Sequence, residues 1–153
     1  MPLPRPSLSL KGRALRLLSG REHSRAELER KLASHEEEPG QLARVLDELQ
    51  AKDFINEQRV VDSVVHRRSA RLGALRIRQE LQAKGLDAQK VSDAVAGLKP
   101  SELARARDVW ARKFDALPAD AAERGRHGRF LAGRGFDGEV IRRVLSVGAR
   151  HRD

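Results

Sequence analysis

Cysteine and tyrosine are absent from this chain of 153 residues, and only 3% of its residues are aromatic. The lack of cysteine excludes disulfides, thiolate metal sites and a cysteine nucleophile. The scarcity of aromatic side chains leaves little surface on which nucleic-acid bases could stack. No apolar run approaches the roughly 20 residues that span a bilayer, and the proline-rich start has no apolar signal core. We therefore expect a soluble, cytoplasmic protein without a membrane partner.

Catalytic and metal-binding patterns are also missing. No two of the five histidines lie four residues apart beside a carboxylate, which is the spacing of helical metal sites. His127 aligns with an apolar position of the chain and is expected to cover the core. The acidic run 36–38 is typical of a solvated loop, and the glycines at 125 and 128 lack the strand that precedes a phosphate-binding loop. We predict no catalytic residue, no metal, no cofactor and no enzymatic activity.

Positive charge is abundant and uneven. The formal net charge is +9. Residues 1–55 carry 10 basic and 9 acidic groups, residues 56–100 carry 9 and 5, and residues 101–153 carry 12 and 8. Such a balance favours polyanions or an acidic protein groove as partner. Because 24 of the 31 basic residues are Arg in an Ala-rich chain, the base composition of a GC-rich genome is an equally good explanation of the excess.

One short segment occurs twice, fifty residues apart. Leu81–Asp87 (Leu-Gln-Ala-Lys-Gly-Leu-Asp) returns as Leu131–Asp137 (Leu-Ala-Gly-Arg-Gly-Phe-Asp), and the apolar residues that follow align at the same offset. This periodicity indicates a copied supersecondary unit, and repeat arrays usually present an extended surface to a large partner. Within the copy, Gly, an apolar residue and Asp read as a helix stop, an anchor and the N-cap of the next helix.

Almost every segment has the apolar spacing of a helix, and none has the alternation of a strand. Ser24 and Glu27 predict a capping box. The other predicted N-caps are Asn56, Asp87, Ser101 and Asp137, and a further helix is expected to start near Asp120. The predicted core stripes include Trp110 and the four phenylalanines. The predicted fold class is all-α, an elongated array of three tandem three-helix repeats, and a single globular helical bundle is the alternative. We assign 1–9 to a disordered N-terminal segment, 10–55, 56–99 and 100–147 to repeats 1, 2 and 3, and 148–153 to a frayed tail.

Two basic clusters are the predicted binding residues. Those of the second repeat, expected to project from one end of it, are Arg67, Arg68, Arg71, Arg76, Arg78 and Lys84; those of the third are Arg124, Arg126, Arg129 and Arg134. Arg suits phosphate or carboxylate because its planar fork donates two parallel hydrogen bonds. The alternative is a solvated helix face with internal pairs such as Arg76 with Glu80. Any contact with nucleic acid would be mainly electrostatic and salt-dependent.

Several ordered motifs extend over residues 10–147: Leu-Ser-Gly-Arg-Glu-His-Ser at 18–24, Phe-Ile-Asn-Glu at 54–57, Arg-Ile-Arg at 76–78, Lys-Phe at 113–114 and Arg-Phe-Leu at 129–131. The set resembles the RecX family, bacterial regulators of the RecA recombinase. Asp53 departs from the family pattern, in which Gly commonly precedes the aromatic residue. The acidic loop 34–40 is a second departure.

The resemblance implies a non-enzymatic, three-repeat helical regulator. RecX-like proteins lie in the deep groove of the RecA–DNA filament and inhibit its ATPase, strand-exchange and coprotease activities, which places this chain in homologous recombination and the SOS response. The implied partners are the RecA filament and, through weak electrostatic contacts, single- and double-stranded DNA; we expect a monomer. The alternative function is a stand-alone, sequence-nonspecific DNA-binding protein. The basic clusters are assigned to the contact surface on charge and spacing alone.

Overall fold

The structure, a computed structural model, describes residues 8–146. The predicted frayed tail 148–153 and residues 1–7 of the predicted disordered segment lie outside this range. The described chain is all-helical, which confirms the predicted class, and none of its helices combines the length and apolar character needed to cross a membrane. The helices are α1 (Leu10–Gly20), α2 (Arg25–Leu32), α3 (Gln41–Ala51), α4 (Glu57–Arg68), α5 (Ala74–Ala83), α6 (Ala88–Leu98), α7 (Glu102–Lys113), α8 (Ala121–Gly133) and α9 (Gly138–Leu145), with 3-10 turns at Ala33–His35 and Lys99–Ser101.

The chain divides into two compact units that do not coincide with single repeats. Unit 1 comprises Met1–Val60 and Lys84–Asp87, and unit 2 comprises Val61–Ala83 and Ala88–Asp153. Unit 1 therefore contains α1–α3, the start of α4 and the turn between α5 and α6. Unit 2 contains the rest of the second repeat together with the whole of the third.

The core of unit 1 is aliphatic and comes from α1, α2, α3 and the segment that follows them. Ser9 caps α1, since its hydroxyl accepts a hydrogen bond from the Gly12 N–H. Burial of this core removes apolar surface from water and is the main stabilising contribution to the unit. The buried side chains are Leu10, Ala14, Leu28, Leu32, Leu42, Leu46, Leu49 and Ile55.

The predicted capping box at the start of α2 is present and extends into an ionic network. The Ser24 hydroxyl accepts from the Glu27 N–H, and the Glu27 carboxylate accepts from the Ser24 N–H at 3.0 Å. The same buried carboxylate accepts from Arg21 Nη2 at 2.7 Å and from Lys84 Nζ at 3.3 Å. Burial alone would raise the pKa of Glu27, but hydrogen bonds from Arg21 and Ser24 and the charges of Lys84 and Arg21 lower that pKa to about 2.

The turn at residues 84–87 packs against the same part of unit 1. The Ser24 hydroxyl donates to the Lys84 carbonyl at 2.5 Å. Gly85 has a φ of 69°, as its predicted role at the end of a helix requires, and a Cβ at this position would lie 2.7 Å from the Cβ of Ala26. Position 85 therefore excludes a side chain for two reasons, its backbone conformation and its neighbour.

The core of unit 2 joins the three helices of the third repeat. Its buried side chains are Ala106, Val109, Leu131, Phe136, Val144 and Leu145. Trp110 and Phe130 pack against it while partly buried. Asp137 caps α9 as predicted, since its carboxylate accepts from the Val140 N–H. Asp120 caps α8 by accepting from the Glu123 N–H, and this helix starts where it was expected.

Two turns of unit 2 meet backbone to backbone. The Gly73 N–H donates to the Arg134 carbonyl at 2.7 Å, and the Leu75 N–H donates to the Gly135 carbonyl at 3.1 Å. A Cβ on Gly73 would lie 2.3 Å from the Gly135 oxygen. Gly135 has a φ of 95°, and a Cβ there would lie 2.4 Å from the Arg76 side chain. We call this the glycine contact; it fixes the turn before α5 against the turn after α8.

Side chains of α7 also bind the segment that connects α4 to α5. Arg105 Nη1 donates to the carbonyls of Ser69 and Leu72, both at 2.7 Å, and its Nη2 pairs with Glu102. The Glu102 carboxylate also accepts from the Ala74 N–H at 2.7 Å. The carbonyls just after α4 lack partners within the helix, so α7 satisfies them and attaches the second repeat to the third.

Three predicted roles, two N-caps and one core position, have different outcomes in the structure. Asn56 caps α4 as predicted, since its amide oxygen accepts from the Arg59 N–H. Ser101 does not cap α7: its backbone is helical and its hydroxyl donates to the Leu98 carbonyl, because a 3-10 turn connects α6 to α7 without an extended residue. Phe54, predicted to lie on a core stripe, is 48% exposed. It follows Asp53, whose positive φ of 66° explains why Gly suits position 53.

Replacing Gly73 with Ala should destabilise the protein by about 2 kcal/mol or more, because the new Cβ meets backbone atoms that cannot rotate away. Gly97→Ala is the matched control: a Cβ at position 97 meets nothing within 4 Å, and it should leave stability unchanged or raise it by up to about 1 kcal/mol. Urea unfolding of both variants measures the difference. Equal stability of the two would contradict the glycine contact.

Replacing Glu27 with Gln should lower the free energy of unfolding at pH 7 by about 2–3 kcal/mol, since the paired buried carboxylate is lost. The pKa of Glu27 is depressed from 4.5 to about 2. Its stabilisation is therefore complete above about pH 4.5 and disappears as pH falls towards 2. The variant should have a flatter stability profile across this window in pH-dependent urea unfolding. Glu29→Gln, which removes a half-exposed carboxylate of the same helix, should change stability by less than about 0.5 kcal/mol.

Candidate anion-binding site

A cleft of about 220 Å³ in unit 2 concentrates positive charge. It lies among the turn that follows α4, the C-terminal end of α7 and the end of α8. Its lining consists of Arg71, Val109, Arg112, Lys113, Phe130 and Arg134. Among the residues that the structure describes, no carboxylate lines this space. We call it the basic cleft.

The glycine contact brings the walls of the basic cleft together. Arg71 lies two residues before Gly73, and Arg134 supplies the carbonyl that the Gly73 N–H binds at 2.7 Å. On the opposite wall, Arg112 Nη2 donates to the Ala70 carbonyl at 3.0 Å. Residues of two repeats that are distant in sequence are therefore fixed side by side by backbone bonds, and their long side chains extend from a rigid base.

Phe130 forms the apolar side of the cleft and orients two of its cations. The Arg134 guanidinium carbon lies 5.1 Å from the ring centroid of Phe130, and the Lys113 ammonium lies 5.8 Å from it. Both distances are within the range of cation–π attraction. Phe114 packs edge-on against Phe130 with centroids 5.5 Å apart. Phe114 thus fixes the position of the Phe130 ring, and the exposed part of that ring attracts the two cations.

The four cations of the cleft, whose described lining holds no carboxylate, repel one another, and an entering anion relieves that repulsion. Arg71, Arg112 and Arg134 can each offer a bidentate fork to phosphate or carboxylate, and Lys113 adds a point charge. A cleft of about 220 Å³ is large enough for one phosphodiester group and its adjoining sugar atoms. The described residues that line the cleft include no hydroxyl, thiol, imidazole or carboxylate, so the arrangement suits the binding of an anion.

The structure separates the predicted residues of the second repeat. Arg71 lines the basic cleft. Arg68 Nε donates to Glu80 at 3.0 Å, and Arg67 lies 4.0 Å from the same carboxylate. Glu80 therefore pairs with α4, whereas the alternative interpretation expected it to pair with Arg76. Arg76 Nη1 donates to the Gly133 carbonyl at 2.6 Å.

Two further predicted cations of that repeat lie elsewhere. Arg78 lines a different depression of unit 2. Lys84 belongs to unit 1, where its side chain is 13% exposed and its ammonium pairs with Glu27. The six residues thus do not form one cluster, because successive residues of a helix point in different directions and the turn at 84–87 belongs to another unit.

The predicted residues of the third repeat are similarly divided. Arg134 lines the basic cleft. Arg124 donates to the Leu145 carbonyl at 3.1 Å and lines a shallow depression beside α9. The Arg126 guanidinium lies 5.7 Å from the Phe114 ring centroid. Arg129 is exposed on α8, beside Gly125. Of the third-repeat set, Arg134 is the residue that lines the same cleft as Arg71.

Sequence reasoning missed Arg112 and Lys113. Both lie in the last turn of α7, a helix that we had interpreted by its apolar stripe alone. One signal was present: Arg112 follows Arg105 by seven residues, so the two side chains share a helix face. To predict that Arg105 and Arg112 both bind carbonyls after α4, one must know which helices are neighbours. The spacing of residues along the chain does not provide that information.

His127 lies behind the aromatic side of the cleft and is buried, which confirms that it covers the core. Its Nδ1 accepts from the Trp110 indole N–H at 3.0 Å, and its ring stacks on Phe114 with centroids 3.6 Å apart. Because the indole nitrogen can only donate, Nδ1 carries no proton. Burial lowers the pKa of His127, the Arg126 charge lowers it further, and Glu123 acts in the opposite direction.

Acidification should loosen this aromatic cluster. The folded-state pKa of His127 lies below its ordinary value of 6.5, so its neutral form stabilises the fold above about pH 6.5 and the stabilisation is lost as pH falls through the lower folded pKa. Trp110 is the sole tryptophan, and its fluorescence should change as the hydrogen bond breaks. Replacing His127 with Phe should remove this transition, while His35→Gln at an exposed position should preserve it. A transition retained in the His127 variant would refute the assignment.

Comparison with known proteins adds three matches to family sequence models. These are the first three-helix domain of RecX at residues 11–49, the second at 56–95 and the third at 101–145. Together they extend over most of the chain.

Individual relatives are similar over nearly their full length. The Regulatory protein RecX of Leptothrix cholodnii is 54% identical over 149 residues, which are 97% of this chain and 95% of that protein. That of Ralstonia nicotianae is 47% identical over 145 residues, 95% and 91% of the two chains. The crystal structure of RecX from Lactobacillus salivarius is similar with a TM-score of 0.76 at 20% identity, over 89% of this chain and 92% of that one. At that identity the likeness shows a common fold.

Proposed function

The chain belongs to the RecX family of regulatory proteins, and on this premise we propose that it binds the filament formed by the RecA recombinase on DNA and inhibits it. The inhibited activities are the filament's ATPase, strand exchange and coprotease functions. In this proposal the protein acts as a cytoplasmic monomer, catalyses no reaction and needs no cofactor. Its effect on recombination and the SOS response follows from occupancy of the filament.

The basic cleft is the observation that carries the proposal. Its four cations, Arg71, Arg112, Lys113 and Arg134, lack a neutralising carboxylate among the described residues, and a nucleoprotein filament presents phosphate at every nucleotide. A contact of this kind depends on the backbone and not on the base sequence. It suits a regulator that must bind filaments on any DNA, and it supports a contact between the second and third repeats of this protein and the filament's phosphates.

Arg76, Arg68 and Lys84 have a different role in the proposal. Their side chains are bonded to Gly133, Glu80 and Glu27 respectively. Reversing their charge would break internal contacts, and a loss of inhibition would then report on folding as well as on binding. Arg71 and Lys113 are better probes, because both line the cleft and neither side chain takes part in an ion pair among the described residues.

The double substitution Arg71→Glu with Lys113→Glu should weaken inhibition of the filament's ATP hydrolysis at least about tenfold, since it places two carboxylates in an anion site. The matched control is Arg16→Glu with Arg44→Glu, which changes net charge equally at exposed positions of unit 1. ATP turnover by RecA on single-stranded DNA is the measurement, with circular dichroism to verify helicity. Full inhibition by the cleft variant, or equal loss in both variants, would remove the basic cleft from the mechanism.

The affinities for bare DNA and for RecA filaments distinguish a filament regulator from a stand-alone DNA-binding protein. At about 150 mM salt we expect weak binding to bare single- or double-stranded DNA and much tighter binding to preformed filaments, because about two or three phosphate contacts give only a modest electrostatic free energy. Co-sedimentation and fluorescence anisotropy measure the two affinities. Tight binding to bare DNA, unchanged by RecA, would favour the alternative.

A further inference from the structure

A second depression of unit 2 differs in character from the basic cleft. It has a volume of about 540 Å³ and lies among α5, α6, α7 and α9; we call it the apolar groove. Its apolar lining residues are Ala74, Leu75, Val95, Ala96, Leu103 and Val140. Leu75 is 49% exposed, although a side chain of this kind gains free energy from burial. The groove therefore offers apolar surface that a partner could cover.

The wall that carries Leu75 is rigid. The Leu75 N–H donates to the Gly135 carbonyl at 3.1 Å, and the N–H of the preceding Ala74 donates to Glu102 at 2.7 Å. The glycine contact therefore fixes the backbone on which the exposed side chain stands. A preformed wall costs little ordering entropy on binding, so most of the burial free energy remains available for affinity.

The carboxylates of the groove are already occupied. Glu102 accepts from the Ala74 N–H and pairs with Arg105. Asp137 accepts from the Val140 N–H in its role as N-cap. Glu139 pairs with Arg142 at 2.6 Å. Glu102 and Asp137 therefore have little capacity left to bind a cationic partner, and Glu139 is balanced by Arg142 on the surface.

The cations of the groove are less engaged. Arg78, Lys99 and Arg143 border it; among the described residues the Arg143 charge acts on Glu139 and helps to lower the pKa of that carboxyl. Because Glu102 and Glu139 are each paired with another arginine, the border of the groove keeps a net positive charge around its apolar floor. Its complement is a surface that is apolar in the centre and negative at the edge.

From this complementarity we propose that the apolar groove binds an acidic amphipathic segment of a protein. One or two apolar side chains of the segment enter between Leu75 and Val140, and its flanking carboxylates pair with the bordering cations. A sugar–phosphate backbone has no apolar side chain to cover Leu75. A second copy of this chain would bring a net charge of +9 towards an already positive border. The inference rests on the proposed function, in which the segment belongs to the filament protein, so that the groove contacts protein and the basic cleft contacts DNA.

Two substitutions separate the apolar and ionic parts of this contact. Leu75→Gln should weaken co-sedimentation with RecA filaments about fivefold to tenfold and leave the salt dependence of binding unchanged, since no charge is altered. Arg78→Glu should weaken binding and also reduce its salt dependence. The matched controls in unit 1 are Phe54→Gln, at a similarly exposed apolar side chain, and Arg16→Glu. Unchanged binding by Leu75→Gln and Arg78→Glu would overturn the inference.

A photo-reactive benzoylphenylalanine at position 75 identifies what covers the groove. We expect it to crosslink to the filament protein, at a stretch where Asp or Glu flanks apolar residues, and a probe at position 54 to give no such adduct. Crosslinks to DNA or to a second copy of this chain would overturn the inference while the proposed function stands. Failure of the wild-type protein to co-sediment with filaments would overturn the proposed function and, with it, this inference.

Discussion

The close backbone contact between Gly73 and Gly135 is the constraint on which the rest of unit 2 depends. Two N–H groups of one turn donate to two carbonyls of another, and the approach leaves no room for a Cβ on either glycine. The contact places Arg71 beside Arg134 and fixes the backbone of Leu75. Both the basic cleft and the apolar groove are therefore consequences of one tertiary contact between the second and third repeats.

The abundance of Arg has two separate structural meanings. Arg76 and Arg105 bind main-chain carbonyls at turns, where they replace the hydrogen bonds that helix ends lack. Arg71 and Arg134 instead face the basic cleft. Arg112 does both, since one of its nitrogens binds Ala70 and its side chain lines the cleft. Net charge alone cannot separate these roles, because both use the same guanidinium group.

Local features of the fold could be predicted from the sequence, whereas tertiary pairings could not. The capping box at Ser24 and the glycine stops at 85 and 135 depend on residues within one turn, and they are present. Glu80 pairs with α4, and Lys84 pairs with Glu27 across 57 positions, because packing decides which long side chains meet. The basic clusters were predicted as runs along the chain, but only Arg71 and Arg134 among them line the cleft.

Amide hydrogen exchange of the protein, free and bound to RecA filaments on single-stranded DNA, tests most directly the claim that the glycine contact builds the binding surface. In the free protein we expect slow exchange at the amides of Gly73 and Leu75, because they donate to the carbonyls of Arg134 and Gly135. On binding, protection should increase at residues 70–76 and 130–136 and at the end of α7. Fast exchange of these amides in the free protein, or binding without any added protection there, would show that the glycine contact does not build the binding surface.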